Sequence, residues 1–118
     1  MPVLALADLL VARCHPLEGG TALDAAAVEA QLGVLPAWRL NEGALERRYA
    51  FRNYYETMAF ANALAWIVHA EDHHPDLALS YDRCTVRFNT HSVGGISIND
   101  FICAAKADAV YTAGAAPR

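Results

Sequence analysis

The chain predicts an α+β fold, with about three helices packed on one face of a short antiparallel sheet. Three observations carry this expectation. Residues 38–51 alternate in strand fashion around the turn residues Asn41-Glu42-Gly43. Residues 52–72 run without Gly or Pro and are rich in Ala, Met, Glu and Leu, the composition of a long helix. Residues 81–90 alternate again. Helices and strands that do not strictly alternate along the chain favour helices gathered on one side of an antiparallel sheet. A length of 118 residues suffices for one compact core, and no repeat or linker divides it. Residues 1–20 are expected to be a loosely attached N-terminal arm, 21–112 a single domain and 113–118 a frayed tail.

In the arm, Val3–Val11 is apolar enough for a short helix, and Cys14-His15-Pro16 and Gly19-Gly20 break any continuation. No second ligand pair lies near Cys14 and His15, so an ordinary loop is preferred there to a metal site. Thr21 is expected to cap the first long helix, because Thr21-Ala22-Leu23-Asp24 has the form of a capping box, although Asp is a poorer partner than Glu. Leu23, Ala27, Val28 and Leu32 follow at helical spacing, and Gly33 with Pro36 stops the run. Trp38-Arg39-Leu40 and Leu45–Tyr49 then read as a hairpin, which leaves Arg39, Arg47 and Arg48 facing solvent. The competing reading makes Ala44–Tyr49 the start of the next helix; the hairpin is preferred.

The long helix is expected to bury Phe51, Tyr54, Met58, Ala61, Ala65 and Val68, and to end near His73 because Pro75 disfavours helical geometry at His74. Asp76–Ser80 reads as a connector. In the strand from Tyr81 to Thr90, Cys84, Val86 and Phe88 point one way and Arg83, Thr85 and Arg87 the other. Gly94-Gly95 turns the chain, and Ile96-Ser97 reads as a short strand or as the lead into the last helix. Ser97-Ile98-Asn99-Asp100 is a second capping-box pattern, opening a helix to about Tyr111 whose apolar stripe is Phe101, Ile102, Ala105 and Ala109.

Composition excludes several classes. The chain is 55% hydrophobic and 19% charged with a net charge of −4, and it has no Lys/Arg block, so it lacks the basic footprint of a nucleic-acid binder. The apolar runs near residues 3–12 and 57–68 are interrupted by Asp8 and Asn62, and neither is long enough for a membrane span. The first residues carry no basic n-region, so no signal peptide is expected. Cys14, Cys84 and Cys103 form an odd set without a Cys-x-x-Cys pair, which favours reduced thiols in a cytoplasm.

The chemistry concentrates in the histidines, four of the five falling within residues 69–91: His69, His73, His74 and His91. Imidazoles titrate near neutral pH and can donate or accept protons. Three readings stand. The histidines could hold zinc with Asp72 or Asp100, although neighbouring histidines seldom ligate one ion and no His-Glu-x-x-His is present. They could perform acid–base catalysis without a metal. They could be residues of helix and strand ends with structural roles alone.

The run His73-His74-Pro75-Asp76, then Tyr81, Thr90-His91, Gly95-Ile96-Ser97 and Asp100, resembles the signature of the pterin-4a-carbinolamine dehydratases. Trp38 matches the tryptophan opening that family's first strand, and Phe51-x-x-Tyr54 its Phe-x-x-Phe, so the resemblance covers about Trp38 to Tyr111. Upstream, Cys14-x-Pro16 with Gly19-Gly20 and Leu23 is similar to the leader of some bacterial and plant members, which carry a second cysteine where this chain has Leu17. The resemblance implies a four-stranded antiparallel sheet, its fourth strand included, and a homodimer or homotetramer; a short sheet edge also invites such pairing.

The implied activity is loss of water from 4a-hydroxytetrahydrobiopterin to give quinonoid dihydrobiopterin, recycling the pterin of aromatic amino-acid hydroxylation without metal or cofactor. The implied catalytic residues are His73, His74, His91 and Asp100, and the implied pterin-binding residues are His73, His74, Pro75, Thr90 and His91. Asp100 has a structural reading of equal weight, as the acid of the last capping box. One departure is His69, where the family commonly has Glu; the nearest acids are Glu71 and Asp72. Two further roles follow from the resemblance as alternatives: binding the dimerisation segment of a transcription regulator, and a pterin role in molybdopterin metabolism.

Overall fold

The computed structural model describes residues 2–17 and 19–115. Its elements are α1 (Leu6–Val11), α2 (Ala25–Leu32), β1 (Arg39–Asn41), β2 (Ala44–Ala50), α3 (Tyr54–Glu71), β3 (Asp76–Leu79), β4 (Arg83–Phe88), a 3-10 turn (His91–Val93) and α4 (Ile98–Val110). The strands form one antiparallel sheet in the order β1-β2-β4-β3.

The hairpin forms as expected, closed by Glu42 and Gly43, both at positive φ (48° and 78°), as a two-residue hairpin loop requires. Registration of Leu45 on Phe88, Arg47 on Val86 and Tyr49 on Cys84 puts these side chains on the inner face, where α3 and α4 cover them. Alternate residues point outward. Glu46 there is bonded by Arg39, Arg87 and Asn41, which hold its carboxyl down at about 2. Arg47 departs from the expected solvent position: the pleat turns it inward, where it pairs with Asp108 at 2.7 Å and lies over the Tyr49 ring.

Asp76–Ser80 is not a mere connector. Asp76–Leu79 pairs with β4 from Leu79 on Cys84 to Asp76 on Arg87. All four residues of this edge strand are exposed, so no burial alternation betrays it in the sequence. Ile96-Ser97 makes no strand; an isolated bridge joins Thr90 to Gly95 instead.

The helices shift in detail. Asp24, not Thr21, caps α2, accepting from the Ala27 N–H at 2.8 Å. Asn53 caps α3. The buried stripe of α3 is Thr57, Phe60, Ala61, Leu64, Val68 and Glu71; Tyr54 and Ala65 face outward. The expected stripe followed aromatic residues, whereas burial follows the face turned to β4 and α4.

Residues 2–17 are not loosely held. Leu9 is fully buried, and Gln31 exchanges two side-chain hydrogen bonds with the Leu4 backbone. Of the tail expected to fray, residues 113–115 end the π-type segment Tyr111–Ala115, which is kinked at Gly114, and 116–118 lie outside the described residues.

Candidate active site

The site begins at the end of α3. Asp72 takes a left-handed conformation (φ 52°, ψ 43°), one of the few L-residues that does so readily. Its N–H donates to the His69 carbonyl and the His73 N–H to the Val68 carbonyl, the paired bonds of a Schellman ending. Helix arrest therefore comes at Asp72, with Pro75 just beyond. This reversal turns His73 inward, where its ring stacks on Phe88 at 6.0 Å with 9° between planes.

There the His73 Nε2 lies 2.6 Å from the Asp100 Oδ1. Asp100 is fully buried at the third position of α4. Its Oδ2 accepts from the Ser97 N–H at 2.9 Å and the Thr90 hydroxyl at 2.8 Å. The Ser97 hydroxyl, 2.7 Å from the Thr90 oxygen, donates to it, and Ser97 also accepts from the Asn99 N–H. The expected capping box thus forms, and the same carboxylate holds a histidine. With Asp100 an acceptor throughout, the proton between it and His73 belongs to Nε2, and Nδ1 is the ring atom left to accept one.

His73 lines a cavity of about 350 Å³ with Asp72, Thr90, Ser92 and Asn99. The N-terminal loop Cys14–Leu17 forms another part of its lining. Glu71, also in the lining, accepts from the Cys14 N–H at 2.8 Å and pairs with Lys106 and Arg13, each at 2.9 Å. Burial pushes the Glu71 carboxyl up, but the Cys14 N–H and the two cations outweigh it and hold the group below its ordinary value.

The expected site residues separate into groups. His73, Thr90 and Asp100 come together. Thr90 is buried with its hydroxyl committed to Asp100 and Ser97. His74 and Pro75 line a different, mostly apolar cavity of about 210 Å³ with Leu64, Val68 and Leu77. His91 is exposed at the start of the 3-10 turn, between Thr90 and Ser92, which both line the His73 cavity. His69 is exposed in the last turn of α3.

The residues that sequence reasoning missed are His15, Asn99 and Glu71, whose placement depends on the arm folding back; no local periodicity announces it. Among the described residues, no group of three or more His, Cys, Asp or Glu side chains is placed to hold a metal ion. A larger groove of about 570 Å³, lined by Leu6, Leu10, Val34 and Ala109, has Arg47 and Asp108 as its charged residues, and these are paired to each other. Convergent polar groups around a titratable ring favour the His73 cavity as the reactive one.

Fold and site together define a class: a small α+β domain with a carboxylate-held histidine set beside a ligand-sized cavity. The family model for pterin 4 alpha carbinolamine dehydratase matches residues 21–110. The chain belongs to this family. A relative from Stenotrophomonas maltophilia (strain K279a), provisionally named a pterin-4-alpha-carbinolamine dehydratase, is 56% identical over 108 residues, covering 89% of this chain and 93% of its own. One from Nitrosomonas europaea with the same provisional name is 48% identical over 106 residues, covering 88% and 94%. Among solved structures, a transcriptional coactivator/pterin dehydratase from Brucella melitensis superposes with a TM-score of 0.73 at 26% identity, over 76% of this chain and 98% of that one.

Proposed function

We propose that this protein dehydrates 4a-hydroxytetrahydrobiopterin to quinonoid dihydrobiopterin by histidine acid–base catalysis, in a cytoplasm and as part of pterin recycling after aromatic amino-acid hydroxylation. The observation that carries the reading is the His73–Asp100 pair at the wall of a cavity of about 350 Å³, in a chain of this family. The 4a-hydroxyl leaves as water once protonated, and a ring nitrogen of the pterin loses its proton as the C=N bond forms. Asp100 fixes the Nε2–H of His73, so Nδ1 is the atom that takes or returns a proton. Asp100 is buried and acts through His73, as a positioning residue. His91, on the turn between two lining residues, is the second proton-transfer group in this reading, and His74 with Pro75 forms a flanking contact.

The test is a direct assay with synthetic 4a-hydroxytetrahydropterin and no added metal. The protein should accelerate loss of water, and a rate equal to the spontaneous one overturns the reading.

A second reading, protein binding, has one observation in its favour. Tyr55 and Trp66 are 87% and 76% exposed on α3, eleven positions apart and therefore on one face. Exposed aromatics on one helix face suit a docked helix from a second copy or from another protein. Light scattering of Trp66→Glu against the unaltered protein tests it: a loss of mass per particle supports docking at this face, and an unchanged mass refers the face to another partner or to none.

A further inference from the structure

Part of the lining of the His73 cavity, the Cys14–Leu17 loop, comes from outside the family-matched region, which begins at residue 21. The Cys14–Leu17 loop could rest on the domain passively, but its attachments are specific. Asn99 clamps the His15 backbone from both sides: the His15 N–H donates to the Asn99 Oδ1 at 3.2 Å, and the Asn99 Nδ2 donates to the His15 carbonyl at 2.7 Å. One residue earlier, the Cys14 N–H donates to Glu71, and the Cys14 sulfur sits 3.6 Å from that of Cys103. Asn99 is itself buried, and it is the neighbour in α4 of Asp100, which holds His73. Two adjacent residues of one helix turn thus hold two parts of one cavity's lining, Asp100 the His73 ring and Asn99 the loop.

We propose that the Cys14–Leu17 loop is a recognition wall of the substrate cavity and that Asn99, acting through the loop, is a positioning residue for substrate binding. The proposal rests on the pterin reading of that cavity. An amide suits this task because it carries a donor and an acceptor on separate atoms and so pairs with both backbone groups of one residue at once, which an ionised carboxylate, an acceptor only, cannot do. Fixing the loop in advance removes the ordering that binding would otherwise require. Proton transfer at His73 does not pass through the clamp, so loosening it affects binding rather than chemistry.

The experiment uses the full chain, with oxidised biopterin as a fluorescent, unreactive probe and the dehydratase assay beside it. Asn99→Ala should weaken biopterin binding and raise KM by about tenfold, the effect of losing two hydrogen bonds, with kcat within about twofold. Asn99→Asp, which keeps the acceptor but not the donor, should fall between. Leu17→Trp projects bulk from the wall into the cavity and should weaken binding at least as much, with the circular dichroism spectrum unchanged. An equal fall in kcat and kcat/KM for Asn99→Ala would place its effect on Asp100 and His73 and overturn the proposal. Biopterin binding unaltered by a folded Leu17→Trp would overturn it as well. Failure of the unaltered protein to bind biopterin or to accelerate dehydration would instead sink the pterin reading itself.

Discussion

His73 and His74 are adjacent in the chain and occupy different chemical worlds. His73 is turned inward, stacked on Phe88 and bonded to a fully buried carboxylate, beside a polar cavity. His74 is exposed and lines a smaller apolar cavity with Leu64, Val68 and Leu77. The difference arises in the backbone rather than in either ring. Asp72 ends the helix in a left-handed turn, and Pro75 keeps the next residues extended, so successive side chains leave on opposite sides. Adjacency in the chain therefore does not give the two rings the same surroundings. One ring has its tautomer set by a carboxylate; the other has no such partner among the described residues.

The sharpest way to test that contrast is His73→Ala, expected to lower the dehydration rate by about 10²-fold or more if this ring transfers the proton. Steady-state kinetics at saturating pterin would show it, and an unchanged rate would remove His73 from the mechanism. Asp100→Asn keeps the shape but loses the charge that orders the His73 ring, and a loss of about 10-fold to 10²-fold is expected. Because Asp100 also accepts from Ser97 at the start of α4, a lowered melting temperature should accompany it.

His74→Ala should reduce the rate by less than about tenfold, the size of a lost binding contact rather than of a lost proton transfer. A loss larger than that of His73→Ala would reverse the comparison.

The smallest effect concerns the carboxylate one residue before the left-handed turn. Glu71 is held below its ordinary value, so its ionic partners stabilise the fold fully at neutral pH, and the contribution fades as pH falls below the ordinary carboxylate range. Glu71→Gln should therefore lower the melting temperature at pH 7 and converge with the unaltered protein in acid. Thermal unfolding followed across pH would reveal it, and a constant gap at every pH would detach Glu71 from the ionic account.

Much of the scaffold was legible because its signals are local. The alternation of residues 81–90 placed Cys84, Val86 and Phe88 inward, and all three are buried. Glu42-Gly43 marked the hairpin, and Ser97 with Asp100 marked the start of α4. What escaped was non-local. The edge strand Asp76–Leu79 has no buried face of its own and exists because β4 offers it a ladder. The stripe of α3 misled in part: Tyr54 and Ala65 are exposed, while Thr57 is fully buried with its hydroxyl donating to backbone carbonyls.

The sequence by itself determined the α+β class, the order of helix, hairpin, long helix, strand and helix, the capping of α4 by Ser97 and Asp100, and the concentration of titratable rings after α3. Each of these follows from side-chain periodicity or backbone preference within a few residues. Only the tertiary structure decided that His73 and not His74 meets Asp100, that the Thr90 hydroxyl is committed to that carboxylate, and that Cys14–Leu17 lines the cavity beside His73. Those facts depend on pairs such as His73 with Asp100 and His15 with Asn99, whose partners lie far apart in sequence. No local propensity encodes such a meeting, since it is settled by which faces the packed core brings together.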